Sequence, residues 1–149
     1  MERTLIIIKP DAVQRGLTGR IITRFERRGL RLAGMKLIHI DQALAEKHYA
    51  IHKGKPFYEP LIQYMTSSPV VVIALEGNDA IEIARRTMGA TNPAEAAPGT
   101  IRADFGLEVG RNLVHGSDGE DTAAFEVPLF FDEGELLSYE RDNERWIFE

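Results

Sequence analysis

No cysteine occurs among the 149 residues. Its absence removes disulfides, thiolate metal sites and cysteine nucleophiles, so any chemistry must use other groups. Long apolar runs are missing too. The longest, VVVIAL from Val70 to Leu75, is far too short to span a bilayer. The opening residues MERTLIIIKPD lack the layout of a signal peptide, so no membrane partner and a cytoplasmic location are expected. Nor is there an excess of positive charge: a net charge of −5 argues against generic nucleic-acid binding.

That average conceals an asymmetry. Residues 1–117 carry 16 basic and 12 acidic residues, a balance of +4, whereas residues 118–149 carry 2 and 11, a balance of −9. The front of the chain can therefore hold an anion. With 44% apolar, 28% charged and 8% aromatic residues the composition is that of an ordinary globular chain, and its length suits one domain spanning 1–149.

RTLIIIK, ended by Pro10, reads as a buried strand with Lys9 at its C-terminal edge. Thr18 is placed to cap a helix carrying Ile21, Ile22 and Phe25, which Gly29 stops. LRLAGMKLIHI reads as a second strand, with His39 near its end in a structural role. Asp41 and Asn78 are placed as caps of two more helices, QALAEKHYAIH and DAIEIARRTM, with a short helix around Leu61–Met65 and the strand PVVVIALEG between them. From Gly89 to Gly119 no period is sustained, and a stretch of that length predicts a long functional loop. FEVPLFF reads as the last strand, at a sheet edge because Pro128 cannot donate to an interior ladder. The order predicts an α+β fold: a ferredoxin-like βαββαβ sandwich with a four-stranded antiparallel sheet, an inserted helical hairpin and a long functional loop. A doubly wound parallel sheet is the second choice.

The long loop gathers Thr91, Arg102, Asn112 and His115, with Arg85 and Arg86 just before it. Several guanidinium forks aimed at one place suit phosphoryl transfer, whose transition state needs charge neutralised and atoms aligned. His115 lies among Gly110, Gly116 and Gly119, whose backbone freedom would help present it, while Ser117, Asp118 and Glu126 are positioned to orient one ring nitrogen and leave the other as a nucleophile. Lys9 adds a point charge at a strand edge. His48 and His52, four apart, form a weaker candidate metal pair lacking the glutamate of a zinc-protease motif. QRGLTGR has glycines but no G-K-[ST] ending, so phosphate is not cradled by a P-loop. Phe57, with Leu61 one turn on, can grip a planar ring.

KPDAVQRG near the start, TNPAEAAPGTIR in the loop and NLVHGSDG around His115 resemble, in order and spacing, the signatures of the nucleoside diphosphate kinases, and the resemblance spans essentially the whole chain. It implies a ping-pong kinase: a nucleoside triphosphate phosphorylates His115, and a nucleoside diphosphate collects the group. It further implies that Lys9, Tyr49, Arg85, Thr91, Arg102 and Asn112 hold phosphates and sugar, that Phe57 stacks on the base with Leu61 and Val109 nearby, and that Glu126 and Ser117 orient the histidine. Mg²⁺ is expected on the nucleotide's own phosphates, with Asp118 touching it through water and no direct protein ligand. RWIFE at the end and the TNPAEAAPGTIR loop imply a homohexamer. The family pattern has a tryptophan near Phe130 and no proline at Pro128, a departure that bears on the last strand. A non-catalytic, nucleotide-binding regulatory module of the same fold is the alternative. An RNA-binding module would need base-stacking aromatics on its central strands, and TLIIIKP and PVVVIALEG carry none.

Overall fold

The computed structural model describes residues 1–149. In chain order the elements are β1 (Glu2–Ile8), α1 (Pro10–Gln14), α2 (Thr18–Arg27), β2 (Arg31–Ile38), α3 (Gln42–His48), α4 (Tyr58–Met65), β3 (Val70–Gly77), α5 (Ala80–Met88), α6 (Ile101–Phe105), β4 (Val114–Gly116) and α7 (Glu120–Phe130), joined by short 3-10 turns. The strands form one antiparallel sheet in the order β2-β3-β1-β4. This is the expected split-βαβ, ferredoxin-like arrangement, and the parallel alternative is excluded.

The central strands are continuous apolar runs because helices cover both faces of the sheet. Along β1, Ile6 and Ile8 enter a core shared with Phe25, Ala84 and Met88, while Leu5 and Ile7 enter a second core with Ile62, Met65 and Val127. β3 alternates in the same way, Val71, Ile73 and Leu75 against Val70, Val72 and Ala74. Each such Leu or Ile side chain contributes roughly 1.5–3 kcal/mol by leaving water. The sheet is thus fixed from two sides, and its C-terminal edge near Lys9 becomes a rigid platform.

Four expectations need correction. FEVPLFF is not a strand: all but its last residue, Phe131, form the second half of α7, with Pro128 in the last turn. Its buried residues, Ala123, Glu126, Val127 and Phe130, recur at helical spacing, but one of the four is a carboxylate, so the apolar stripe that would have revealed the helix is broken. The fourth strand is instead β4, inside the stretch read as a loop, which also contains α6. Elements of three and five residues are too short to show a period.

The caps differ as well. Asp41 accepts from the Leu44 N–H at 2.8 Å as expected. Thr18, however, is the first residue of α2 and makes no side-chain cap, and α5 starts after Asp79 rather than Asn78. The first turn of α5 is capped from another strand: Glu2 accepts from the Ile81 N–H at 2.8 Å. A cap supplied from a distant position in the chain leaves no local sequence mark.

Candidate functional site

At the end of β1 the chain enters α1 through Lys9 and Pro10, and β4 runs beside it, with Ile7 opposite His115. The C-terminus of α3, the last turn of α5, α6 and the start of α7 close around this edge. Together they enclose a cavity of about 640 Å³ lined by, among others, Lys9, His48, Tyr49, Arg85, Thr91, Arg102, Asn112, His115, Asp118 and Glu126. Residues spread from 9 to 126 thus converge on one place.

The cations here are held by neutral dipoles. Lys9 Nζ donates to Asn112 Oδ1 at 2.8 Å, and the Asn112 amide donates to the Thr91 carbonyl at 3.1 Å. Arg102 is buried and donates to the carbonyls of Asn112 (3.2 Å), Gly89 (2.9 Å) and Val114 (2.7 Å). Arg85 donates to the Gly116 carbonyl at 3.1 Å. Burial, and then the neighbouring Arg102, lowers the Lys9 ammonium to about 8, with Asp11 opposing the shift. Burial and Arg85 together lower Arg102 to about 10. Positive charge taken out of water without a carboxylate partner is a receptor for an anion.

Facing these cations, His115 Nε2 lies 2.9 Å from Glu126 Oε1, which also accepts from Ser117 Oγ at 2.6 Å. Ser117 is in turn clamped to β1, its hydroxyl accepting from the Leu5 N–H at 3.2 Å and its own N–H donating to the Leu5 carbonyl at 3.1 Å. Burial would raise the Glu126 carboxyl, but the hydrogen bonds and charge around it, those of His115 first, hold it below its ordinary value. An imidazole that donates Nε2–H to this carboxylate carries its free lone pair on Nδ1. That nitrogen is suited to nucleophilic attack.

The glycines around His115 act otherwise than expected. None of Gly110, Gly116 and Gly119 is at positive φ; the residue in that region is Leu113, at φ +75°. Gly116 is needed for closeness, since a Cβ there would lie 2.6 Å from Met88 Sδ.

His48 and His52 do not share one helical face, because α3 ends at His48 and His52 lies in the 3-10 turn that follows. His52 lies against the Tyr49 and Phe57 rings, with centroids 6.4 and 5.1 Å away. His48 belongs to the cavity instead: buried, 3.6 Å from Glu126 Oε2 through Nδ1 and 4.8 Å from the His115 ring, with neither ring nitrogen hydrogen-bonded. Burial first, then His115, lowers it to about 3, so it is neutral. Its place in the cavity had no mark in the sequence beyond its helical neighbours. His39 plays the structural part expected of it, its Nε2 lying 2.6 Å from the Thr66 carbonyl.

The cavity lining does not include Phe57, Leu61 or Val109. Phe57 and Val109 are about half exposed, and Phe57 reaches the cavity only through its contact with His52, which lines it. The Tyr49 hydroxyl is buried without a hydrogen-bond partner, and burial followed by Glu126 pushes it above its ordinary value. It remains a donor.

A split-βαβ sheet that sets an oriented imidazole against three cations free of carboxylate partners has the chemistry of a class of protein, one suited to receive an anionic group beside a histidine. Comparison with known proteins makes the class specific. Residues 2–136 match the family Nucleoside diphosphate kinase. Curated nucleoside diphosphate kinases from Thermomicrobium roseum and Archaeoglobus fulgidus are 60% and 54% identical, the first over 99% of both chains and the second over 100% of this chain and 99% of the other. A Halobacterium salinarum nucleoside diphosphate kinase solved with CDP superposes with a TM-score of 0.97 at 49% identity over 99% of both chains. A Borrelia burgdorferi nucleoside diphosphate kinase, a transition-state mimic with vanadate and ADP, gives 0.91 at 39% identity over 96% of this chain and 94% of that one. The chain belongs to the nucleoside diphosphate kinase family, and it is a phosphotransferase.

Proposed function

We propose that His115 carries the phosphoryl group in a two-step exchange between a nucleoside triphosphate and a nucleoside diphosphate, with residues 1–149 acting as one domain. The observation that supports this most is the division of labour at the His115 ring: Nε2 is occupied by Glu126 at 2.9 Å, leaving Nδ1 as the available nucleophile. In the first step the Nδ1 lone pair forms a bond to the γ-phosphorus, and the bond from that phosphorus to the β–γ bridging oxygen breaks. The nucleoside diphosphate leaves with the electron pair. Positive charge developing on the ring is countered through Nε2–H by the Glu126 carboxylate, which Ser117 steadies. The second step reverses these bond changes with a different diphosphate as acceptor.

Lys9, Arg85, Arg102, Thr91, Asn112 and the unpartnered Tyr49 hydroxyl hold phosphates and sugar in this reading, since each lines the same cavity. Phe57 stacks on the base, with Leu61 and Val109 beside it. Half-exposed Phe57 offers a ring face, and every base has a π-face, so selection among bases is weak.

The family works with a divalent metal, and Mg²⁺ is the ion proposed. The inner trio of His48, His115 and Glu126 offers two nitrogens and suits a borderline metal better than Mg²⁺. The exposed carboxylates of Asp118 and Asp121 line the cavity and fit a water-retaining ion bound chiefly through phosphates, with Asp118 acting through water. When bound, Mg²⁺ neutralises charge on the phosphate oxygens.

No helix is long and apolar enough to cross a membrane. The proposed site of action is the cytoplasm. A homohexamer is the proposed assembly. The C-terminal segment folds back on its own chain, with Arg141 donating to the Gly29 carbonyl at 2.9 Å, yet it leaves Trp146 78% exposed, a surface suited to a neighbour. Light scattering tests this assembly, and a monomer mass would exclude it.

Phosphoenzyme formation tests the central reading. Incubated with γ-labelled ATP and Mg²⁺, the protein should retain acid-labile, base-stable label, and His115→Ala should retain none while melting like the unsubstituted protein. An unlabelled wild-type protein would refute it.

A further inference from the structure

Behind the wall that carries Asn112 and His115 the backbone makes an unfavourable turn. The Val114 N–H donates to the Asn112 carbonyl at 2.8 Å across Leu113, whose φ is +75°. Residues 112–114 therefore form a γ-turn of the rarer, strained hand. A leucine stays at positive φ only where its surroundings over-determine it.

Here the surroundings can be named. The Leu113 N–H donates to Asp11 Oδ2 at 3.2 Å, and the Leu113 carbonyl accepts from the Lys9 N–H at 2.8 Å. The other Asp11 oxygen accepts from the Tyr64 hydroxyl. Burial, and then that bond to Asp11, pushes the Tyr64 hydroxyl above its ordinary value, so it stays a donor. The Arg111 guanidinium lies 4.6 Å from the Tyr64 ring centroid and covers it. Asp11 and Tyr64 do not line the cavity of His115; they line a neighbouring polar cleft.

The turn decides where the polar groups on either side of it go. Before it, the Asn112 side chain joins Lys9 Nζ at 2.8 Å to the Thr91 carbonyl at 3.1 Å. After it, β4 presents His115. Relaxing Leu113 to an ordinary φ would rotate one of these against the other.

We propose that Asp11 and Tyr64 are positioning residues for phosphoryl transfer: as one unit they hold the Asn112–Val114 turn in its strained form and so set Asn112, Lys9 and His115 against the reacting phosphorus. This rests on the reading of His115 as the phosphate carrier. Because the pair lies outside the cavity of His115, its loss slows the chemistry more than it weakens binding.

The test is single-turnover phosphorylation by γ-labelled ATP with Mg²⁺, alongside ADP affinity, for wild type, Asp11→Ala, Asp11→Asn, Tyr64→Phe and the double variant Asp11→Ala/Tyr64→Phe. Asp11→Ala should slow phosphorylation by about 10²-fold, the scale of a small misplacement of reacting groups. Asp11→Asn, which keeps an acceptor for the Leu113 N–H, should recover part of that loss. Tyr64→Phe should cost about 10-fold, and the double variant should be no slower than Asp11→Ala because the two act together. ADP affinity should stay within about 3-fold throughout. Folded variants that phosphorylate within about 2-fold of wild type, or that lose affinity as much as rate, would overturn the inference. If Asp11→Ala does not fold, Tyr64→Phe decides alone. Wild type that takes no label would sink the reading of His115 itself, whereas a labelled wild type with equally fast variants sinks only the role of this pair.

Discussion

The two ends of β1 both carry charged side chains beside the same sheet, and they use them in opposite ways. At the start, Glu76 on β3 is buried between Arg3 at 2.6 Å and Arg31 at 3.2 Å, and Arg31 also faces Glu144 at 3.4 Å. Opposite charges meet there, and the result is a strut between strands and the C-terminal segment. At the far end, Lys9, Arg85 and Arg102 meet only an amide oxygen and backbone carbonyls. Dipoles orient a cation without cancelling its charge. A sheet edge that spends desolvation on cations and pairs none of them with a carboxylate is set up for a guest that brings the negative charge with it.

Removing one cation at the far end has the largest expected effect. Arg102→Ala should lower turnover by on the order of 10²-fold or more, as when one transition-state donor is lost. A steady-state assay showing rates within a few-fold of wild type would place Arg102 with the struts. At the opposite end, Glu76→Gln should leave turnover unchanged but cost about 2 kcal/mol in a denaturant melt, since two arginines then share a neutral partner. A loss of turnover with intact stability would reverse the two assignments.

The pH dependence sharpens the contrast further. Lys9 titrates near 8 rather than in its usual range because burial and Arg102 disfavour its charge. It is charged below that value, so kcat/KM should fall as pH rises through about 8, approaching tenfold per unit. Bound phosphates favour the charged ammonium, so the limb in kcat should lie at higher pH. Coincident limbs would argue that Lys9 does not face the substrate.

The smallest effect concerns His48, whose folded value of about 3 lies below its ordinary 6.5. The unfolded chain then binds a proton that the folded chain refuses, so stability is lost as pH falls through 6.5 and levels off near 3. Roughly 1 kcal/mol should disappear between neutrality and pH 5.5, and less in His48→Gln. Melting temperatures that respond alike in both proteins would show that His48 is not buried neutral.

Much of this was legible in the chain. The runs RTLIIIK and PVVVIALEG are apolar without alternation, which is what a sheet covered on both faces requires, and both are central strands. Asp41 capped the helix that it preceded. Most candidate site residues do meet in one cavity, including Lys9 and Glu126, more than a hundred positions apart. Phe57, Leu61 and Val109 lie outside it. The failures share a cause. FEVPLFF hid a helix because a buried position of its stripe is Glu126, whose burial is sustained by His115 and Ser117 rather than by apolarity. β4 hid because a three-residue strand owes its existence to β1 beside it.

What the sequence determined alone is the pattern of what must leave water: two apolar strands, the amphipathic helices around them, and a set of cations and one histidine without local partners. Hydrophobic burial is read from composition and period, because it depends on each residue's own surface. Which polar group meets which was settled by the folded chain: Glu126 with His115, Asp11 with Leu113, Glu2 with the start of α5. Hydrogen bonds and charges act over a few ångströms and in one direction, so their partners are chosen by the folded geometry and not by distance along the chain.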